Sequence, residues 1–468
     1  METPMVANKS KLCATGWLAR FCLVCLLSLP RLNQAQTLGE GVLHHLGPMF
    51  RDGASPYSTV VRGRDGVLYG TAWDGGAKGV GTVFRINVDG TGYANLYNFS
   101  NQPDGATPVA SLIQGNDGML YGTTYSGGSN SDGTIFKINT NGNAYLTLWR
   151  FTNSPDGANP QGDLVQGTDG ILYGTTQSGG IAHQGTVFKI MSDGSGYAVM
   201  HSFTNVPDGA VPFAGLLQGK DGRLYGTTAQ GGYPGNGTVF VINTSGGGYS
   251  VLYKFGFLPD GNSPEAPLMQ ASNSLLYGTT VSGGTNGFGT VFVMDTNGQN
   301  YRQIYAFSGS PDGANPYYAR LLQAADGSLY GTTVWGGNTN AGTAYKINPG
   351  GSGYSVLHHF GWPGDGANPF AGLADNGAGV FYGVTLGGGT NGFGTIFELA
   401  ELPTLKINLS VPSVIVTVTG YTNEACHLSA STNLMNWLTL GGLVLTNGSA
   451  QWADTATLPF RFYRVMVP

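Results

Sequence analysis

Side chains able to do acid–base, nucleophilic or metal chemistry are few in this chain of 468 residues. From Gly41 to Phe397 the sole glutamate is Glu265. A pair of glutamates exchanging a proton across a substrate therefore cannot be built there, although aspartate could substitute. Seven aspartates open an Asp-Gly-x-x-Pro motif: Asp52, Asp104, Asp156, Asp208, Asp260, Asp312 and Asp365. Gathered in a ring they would attract cations. The preferred reading is structural, because Asp before Gly commonly accepts backbone N–H groups in a turn. The Thr pairs, such as Thr123-Thr124, suit a β-strand better than nucleophilic catalysis. Histidine is equally sparse. His201 shares a repeat slot with Tyr97, Trp149, Tyr253, Tyr305 and His358, which marks a slot for a flat ring packed against its neighbours. The doublets His44-His45 and His358-His359 fall in matching segments, and His183 stands alone. No catalytic residue, metal ligand set or cofactor follows from these positions.

The elements that must hold these residues are set by a repeat. Leu/Phe-Tyr-Gly recurs with its tyrosine at positions 69, 121, 173, 225, 277, 330 and 382, spaced by 52 residues with one interval of 53. Gly-Thr-x-aromatic follows twelve residues later in every copy, and the single extra residue lies between Pro316 and Tyr330. Each copy reads as four short strands, in the second copy Ala110–Gln114, Met119–Thr124, Gly133–Ile138 and Tyr145–Phe151. Turn residues bound them, with Asp117-Gly118 supplying the positive φ that a tight hairpin needs. Four strands in about 52 residues is the size of a β-propeller blade. The last copy stops after its third strand, while Gly41 to Leu46 resembles a fourth strand (compare Val356 to Phe360). The sequence thus predicts an all-β, seven-bladed β-propeller closed by the N-terminal strand, followed by a small β-sandwich-like domain.

Repeated residues serve the blade, so function is expected where the copies differ. The position after each repeat proline enters the inner strand at one mouth of the ring and includes Tyr57, Phe213, Glu265, Tyr317 and Phe370. The position after Tyr-Gly-x-x includes Trp73 and Tyr125, and Trp335 stands next to it in the sixth copy. Such aromatics suit stacking on sugar rings or anchoring a protein partner. Just inside lie Asp163 and Arg320, three blades apart and the only charged residues of their slot. These ten residues are the candidate ligand-binding set.

Composition agrees with this architecture. The chain has 78 Gly and 23 Pro, 10% charged, 41% hydrophobic and 11% aromatic residues, with a formal charge of −5. That much apolar surface argues against disorder, and scattered Lys and Arg on an acidic chain argue against a phosphate-neutralising nucleic-acid binder. Lys9, Lys11 and Arg20 precede an apolar run, Phe21 to Leu29, and small residues around Ala35. This is the order of a secretory leader, predicted over residues 1–36, with the propeller over 37–402 and the last domain over 403–468. Removing the leader takes Cys13, Cys22 and Cys25 and leaves Cys426, so no internal disulfide is expected. The apolar run is too short to span a bilayer, and the mature chain is expected to carry no membrane span.

The repeat Leu-Tyr-Gly-Thr-Thr-x-x-Gly-Gly, then Gly-Thr-(Val/Ile)-Phe-x-Ile, then Asp-Gly-Ala-x-Pro, resembles the bacterial GloVer tandem repeat family over about residues 41–400. The resemblance implies a secreted or surface protein with a propeller and no established activity. The tail, Ser-Thr-Asn-Leu-x-x-Trp and later Arg-Phe-Tyr-Arg-Val, is similar to a short C-terminal β-domain of exported proteins from the same bacterial groups. The sequence-level expectation is a monomeric binding or surface-display module for a polysaccharide or a surface protein. A carbohydrate-active lyase or hydrolase on the loop-rich face is the second reading.

Overall fold

The computed structural model describes residues 38–47, 52–377 and 379–401, and beyond them 404–410, 413–419, 425–431, 438–444, 449–454 and 462–466. The leader at 1–36 and Trp437 lie outside the described residues. The described chain forms two compact units, one ending at Glu401 and one beginning at Thr404.

The first unit contains seven four-stranded antiparallel sheets arranged as a seven-bladed β-propeller. In blade two the strands are Ile113–Gln114, Leu120–Thr124, Thr134–Ile138 and Leu146–Arg150. The inner strand is shorter than the Ala110–Gln114 expected. Its first residues run beside the inner segments of neighbouring blades, and the backbones converge too closely for a regular ladder. A Cβ on Gly162 would sit 2.5 Å from the Ala214 carbonyl carbon, and one on Gly215 would sit 2.5 Å from the Asp163 oxygen.

Burial follows position in the blade. Leu-Tyr-Gly-Thr-Thr is buried throughout, whereas outer strands such as Ala198–Ser202 are half-buried. The second strand is covered by neighbouring blades on both faces and carries no charge, whereas the third admits one at a less buried position, such as Lys137. Opposite each Leu-Tyr-Gly glycine stands an aromatic residue of the third strand, as in the pair Gly122–Phe136. The Phe136 ring lies over the glycine, so a Cβ there would meet its Cζ at 2.7 Å and Leu112 Cδ2 at 2.8 Å. The paired threonines join strands and blades. Thr124 and Thr134 share a buried hydroxyl bond of 2.8 Å, and Thr175 Oγ1 donates to the Ala214 carbonyl of the next inner segment. At the hairpin, Gly118 takes φ +82°, and Asp117 accepts the Tyr121 hydroxyl at 2.6 Å.

Blade seven is a composite. Phe381–Thr385 and Thr395–Glu401 come from the last repeat, and Leu38–His45 pairs antiparallel with the latter from Leu38↔Glu401 to His45↔Thr395. The register slips at Leu43, between Val42 and His44, just as it slips at Leu96 in blade one. The closing strand therefore reproduces an ordinary fourth strand down to its bulge. Leu46 follows it into a core with Val60, Leu68, Phe84, Tyr382 and Ile396, where it is fully buried.

Among its described residues the second unit has two three-stranded sheets. Ser413–Thr419 lies between Thr404–Ser410 and Ser449–Asp454, and Ala425–Ser431 lies between Leu438–Val444 and Phe462–Met466. Val416 and Val418 from one sheet and Leu428 from the other form its core, with Trp452 packed against it. This is a small β-sandwich.

Candidate binding face of the propeller

Strand order places the crossover loops and the loops between second and third strands on one face, and backbone bonds tie them together. Ala106 N–H donates to Ser126 O at 2.8 Å, and Gly53–Ala54 pairs with Asp74–Gly75. The crossover aspartates act as turn acceptors. Asp104 accepts the Ser100 N–H at 3.1 Å and its hydroxyl at 2.7 Å, and Asp156 accepts the Thr152 N–H at 3.0 Å.

The flat-ring slot has a chemical role that sequence reasoning missed. Tyr97 donates its hydroxyl to Asp104 at 2.6 Å and Trp149 its Nε1 to Asp156 at 3.1 Å. His201 lies 3.1 Å from Asp208, His358 3.1 Å from Asp365, and His44 3.3 Å from Asp52. The slot requires a ring that carries a hydrogen-bond donor. Each of these rings except His358 also stacks on a tyrosine of the next blade, as do Tyr253 and Tyr305, with centroids 3.7–4.1 Å apart. His358 instead packs edge-on against Phe360. The lone His183 places Nδ1 3.2 Å from Asn153 Oδ1.

At the centre, the position after the repeat proline lines the axial channel in five of the blades, and in the sixth the second residue after Pro316, Tyr318, takes that place. Tyr57, Phe213 and Glu265 line one void with Asp163, Gln161, Ser111 and Tyr318. The void is about 20 Å³, room for one or two water-sized groups. No sugar residue fits inside. Rings narrow its mouth on the loop-rich side. Tyr57 meets Trp73 edge-on at 5.3 Å and Phe370 at 5.1 Å, Phe370 meets Tyr317 at 5.3 Å, and Tyr318 lies 6.1–6.3 Å from Tyr317, Phe370 and Phe213. These spacings are those of edge and tilted aromatic contacts.

The electrostatics of this mouth are uneven. Burial pushes the Asp163 carboxyl above its ordinary range, against the pull of the Arg320 charge and of Ser111, whose N–H donates to it at 2.7 Å. Among the described residues, the buried Arg320 Nε has no hydrogen-bond partner. Burial pushes Glu265 up to about 7. It also raises Tyr317 and Tyr318, and the nearby Glu265 charge adds to both shifts.

Of the ten expected residues, the structure brings Tyr57, Trp73, Asp163, Phe213, Glu265, Tyr317 and Phe370 into one cluster, with Arg320 acting on Asp163. Tyr125 and Trp335 do not line the void; Trp335 pairs with Ala314 and is exposed. Tyr318 is the residue sequence reasoning passed over. The extra residue of the sixth copy puts two tyrosines after Pro316, and the second one enters the channel. Exposed rings at the loop tips were missed as well: Tyr233, Phe257 and Trp362. Comparing tips blade by blade could have found Tyr233, since its slot after Gly-Gly holds no other ring: Ala77, Ser129, Ile181, Thr285, Asn338 and Thr390 fill it elsewhere. A separate open depression of about 590 Å³ runs along Tyr197–Ser202 at the rim, beside Pro155 and exposed Ile181.

The fold resembles that of oligogalacturonate lyase from Vibrio parahaemolyticus, with 10% identity over 78% of this chain and 96% of that one and a TM-score of 0.50. A nidogen/laminin complex matches at 14% identity over 64% of this chain and 94% of that one, with a TM-score of 0.41. No curated protein matches the chain. The Gloeobacter/Verrucomicrobia repeat matches residues 33–228 and again 214–435. With the 52-residue blade motif and its closed ring of seven, the chain belongs to the Gloeobacter/Verrucomicrobia repeat family.

Proposed function

We propose that the protein is an exported binding module whose loop-rich propeller face holds a polysaccharide chain. The observation that carries this reading is the continuous ring cluster from Trp73 through Tyr57, Phe370 and Tyr317 to Tyr318 and Phe213. Half-buried rings have fixed orientations, and their outward parts offer apolar faces on which sugar C–H groups stack with little loss of side-chain entropy. The channel below is too narrow to admit a substrate, so the ligand lies across the mouth. Export rests on the leader pattern of residues 1–36, ahead of a propeller at 37–402 and a β-domain at 403–468.

A glycan array probed with the mature chain tests the reading. Binding to one or more polysaccharides is expected, weakened at least tenfold in Trp73→Ala. Absence of binding to any glycan, or binding indifferent to Trp73, refutes it. A second reading, a carbohydrate-active enzyme, is favoured by the burial of Glu265 in the channel, which pushes its carboxyl up to about 7, the range in which a general acid works best. Release of new sugar ends from a bound polysaccharide, abolished in Glu265→Gln, would establish that activity instead.

A further inference from the structure

The two acids at the channel mouth are not equivalent. Asp163 has a counter-charge in Arg320 and a short hydrogen bond from Ser111. Glu265 has neither: among the described residues it makes no hydrogen bond or ion pair. Aromatic residues surround it. Tyr317 and Tyr318 of blade six feel its charge, and Tyr57 and Phe213 line the same void. An unpaired carboxylate among aromatic residues is poorly stabilised as an anion, because they replace water without supplying a positive charge. The same arrangement favours a cation, which gains from the carboxylate and from the aromatic residues that line the void with it. The void is sized for a group no larger than a water or an ammonium head.

We infer that the channel mouth captures a primary ammonium group borne by a sugar, held between the Glu265 carboxylate and the rings of Tyr57, Phe213 and Tyr318. The amine donates to Glu265, while its sugar ring lies outside on Trp73 and Phe370. N-acetylation removes the charge and adds bulk that the void cannot take, so the site discriminates deacetylated from acetylated amino sugars. This rests on the polysaccharide-binding reading and names its ligand class. The groups facing Glu265 from neighbouring elements are Tyr317, Tyr318, Tyr57 and Asp163. Asp163 is already matched by Arg320, so Glu265 carries the selectivity.

The test is calorimetric titration of the mature chain at pH 7 with a glucosamine hexamer, its fully N-acetylated counterpart and a neutral glucose hexamer. The glucosamine hexamer is expected to bind at least tenfold more tightly than the N-acetylated one, and Glu265→Gln to erase that preference. Melting curves check the variant, which should fold normally because the lost charge has no partner. Equal affinity for the two forms, or a preference that survives in Glu265→Gln, overturns the inference. If only the acetylated or neutral hexamers bind, and Trp73→Ala abolishes that binding, the inference falls while the polysaccharide reading stands. Failure of all glycans to bind overturns both.

Discussion

Leu46→Ala probes whether the seventh blade is locked by the N-terminal strand. Leu46 occupies the slot that Phe99, Phe151, Phe203, Phe255, Phe307 and Phe360 fill in the other blades, and like them it is fully buried. Its neighbours come from both sides of the seam: Ile396 and Tyr382 of blade seven, Leu68 and Phe84 of blade one. Truncating a fully buried leucine costs about 2–5 kcal/mol, the loss of transfer energy plus the cavity left behind. Unfolding entropy of about 2.1 cal/mol/K per residue gives a unit of this length about 1.3 °C of Tm per kcal/mol. The expected fall is therefore about 3–7 °C by differential scanning calorimetry. Leu146→Ala, at an exposed position of an outer strand, is the control and should stay within about 0.5 kcal/mol. A Leu46→Ala protein that melts with the wild type would refute the closed seam, since the residue would then have no core to leave.

Gly122→Ala should destabilise by about 1–3 kcal/mol in chemical denaturation, because the added methyl overlaps Phe136 and Leu112 within a packed blade. Gly118→Asn, with open space around a positive φ, should cost only a few tenths of that. Burial pushes the Asp208 carboxyl up, but His201, Tyr249 and the Thr204 N–H more than offset this and hold it below its ordinary range. An acid lowered in the folded state adds stability above its unfolded value, near 3.9, and loses it as pH falls through the folded value. Asp208→Asn should thus lower Tm at pH 7 and flatten the acid limb of the Tm–pH curve below about pH 4; an unchanged limb would show that the His201 pair contributes nothing.

Much of this fold was legible because a repeat constrains itself. If one copy pairs four strands, every copy of the same spacing must do so, and the half-copy at each end must find the other. Gly41 to Leu46 declared its place by resembling Val356 to Phe360, and the structure puts it in the matching register. The inner strand was less legible. Its length is limited by crowding around the axis, where Gly162 and Gly215 leave no room even for a Cβ, and no local pattern encodes that. The ring slot read as a shape but not as a donor. Its aspartate lies seven residues on, eight for His44, and becomes a partner only once the crossover loop turns back. Tyr318 escaped for a related reason. One inserted residue changes which side chain faces the channel, and Tyr317 satisfied the motif equally well.

The seam between Leu38 and Glu401 has a mechanical consequence. The two strands are antiparallel, so the chain enters and leaves the ring side by side, on the face away from the crossover loops. A load applied between those two ends would peel Leu38 from Glu401 and then open the ladder one hydrogen bond at a time, the weakest way to break a sheet. A load between the loop-rich face and the Glu401 end runs along the strands instead and must shear every bond of the ladder together. A pull on the loop-rich face against the Glu401 end therefore loads the ring in its strong direction.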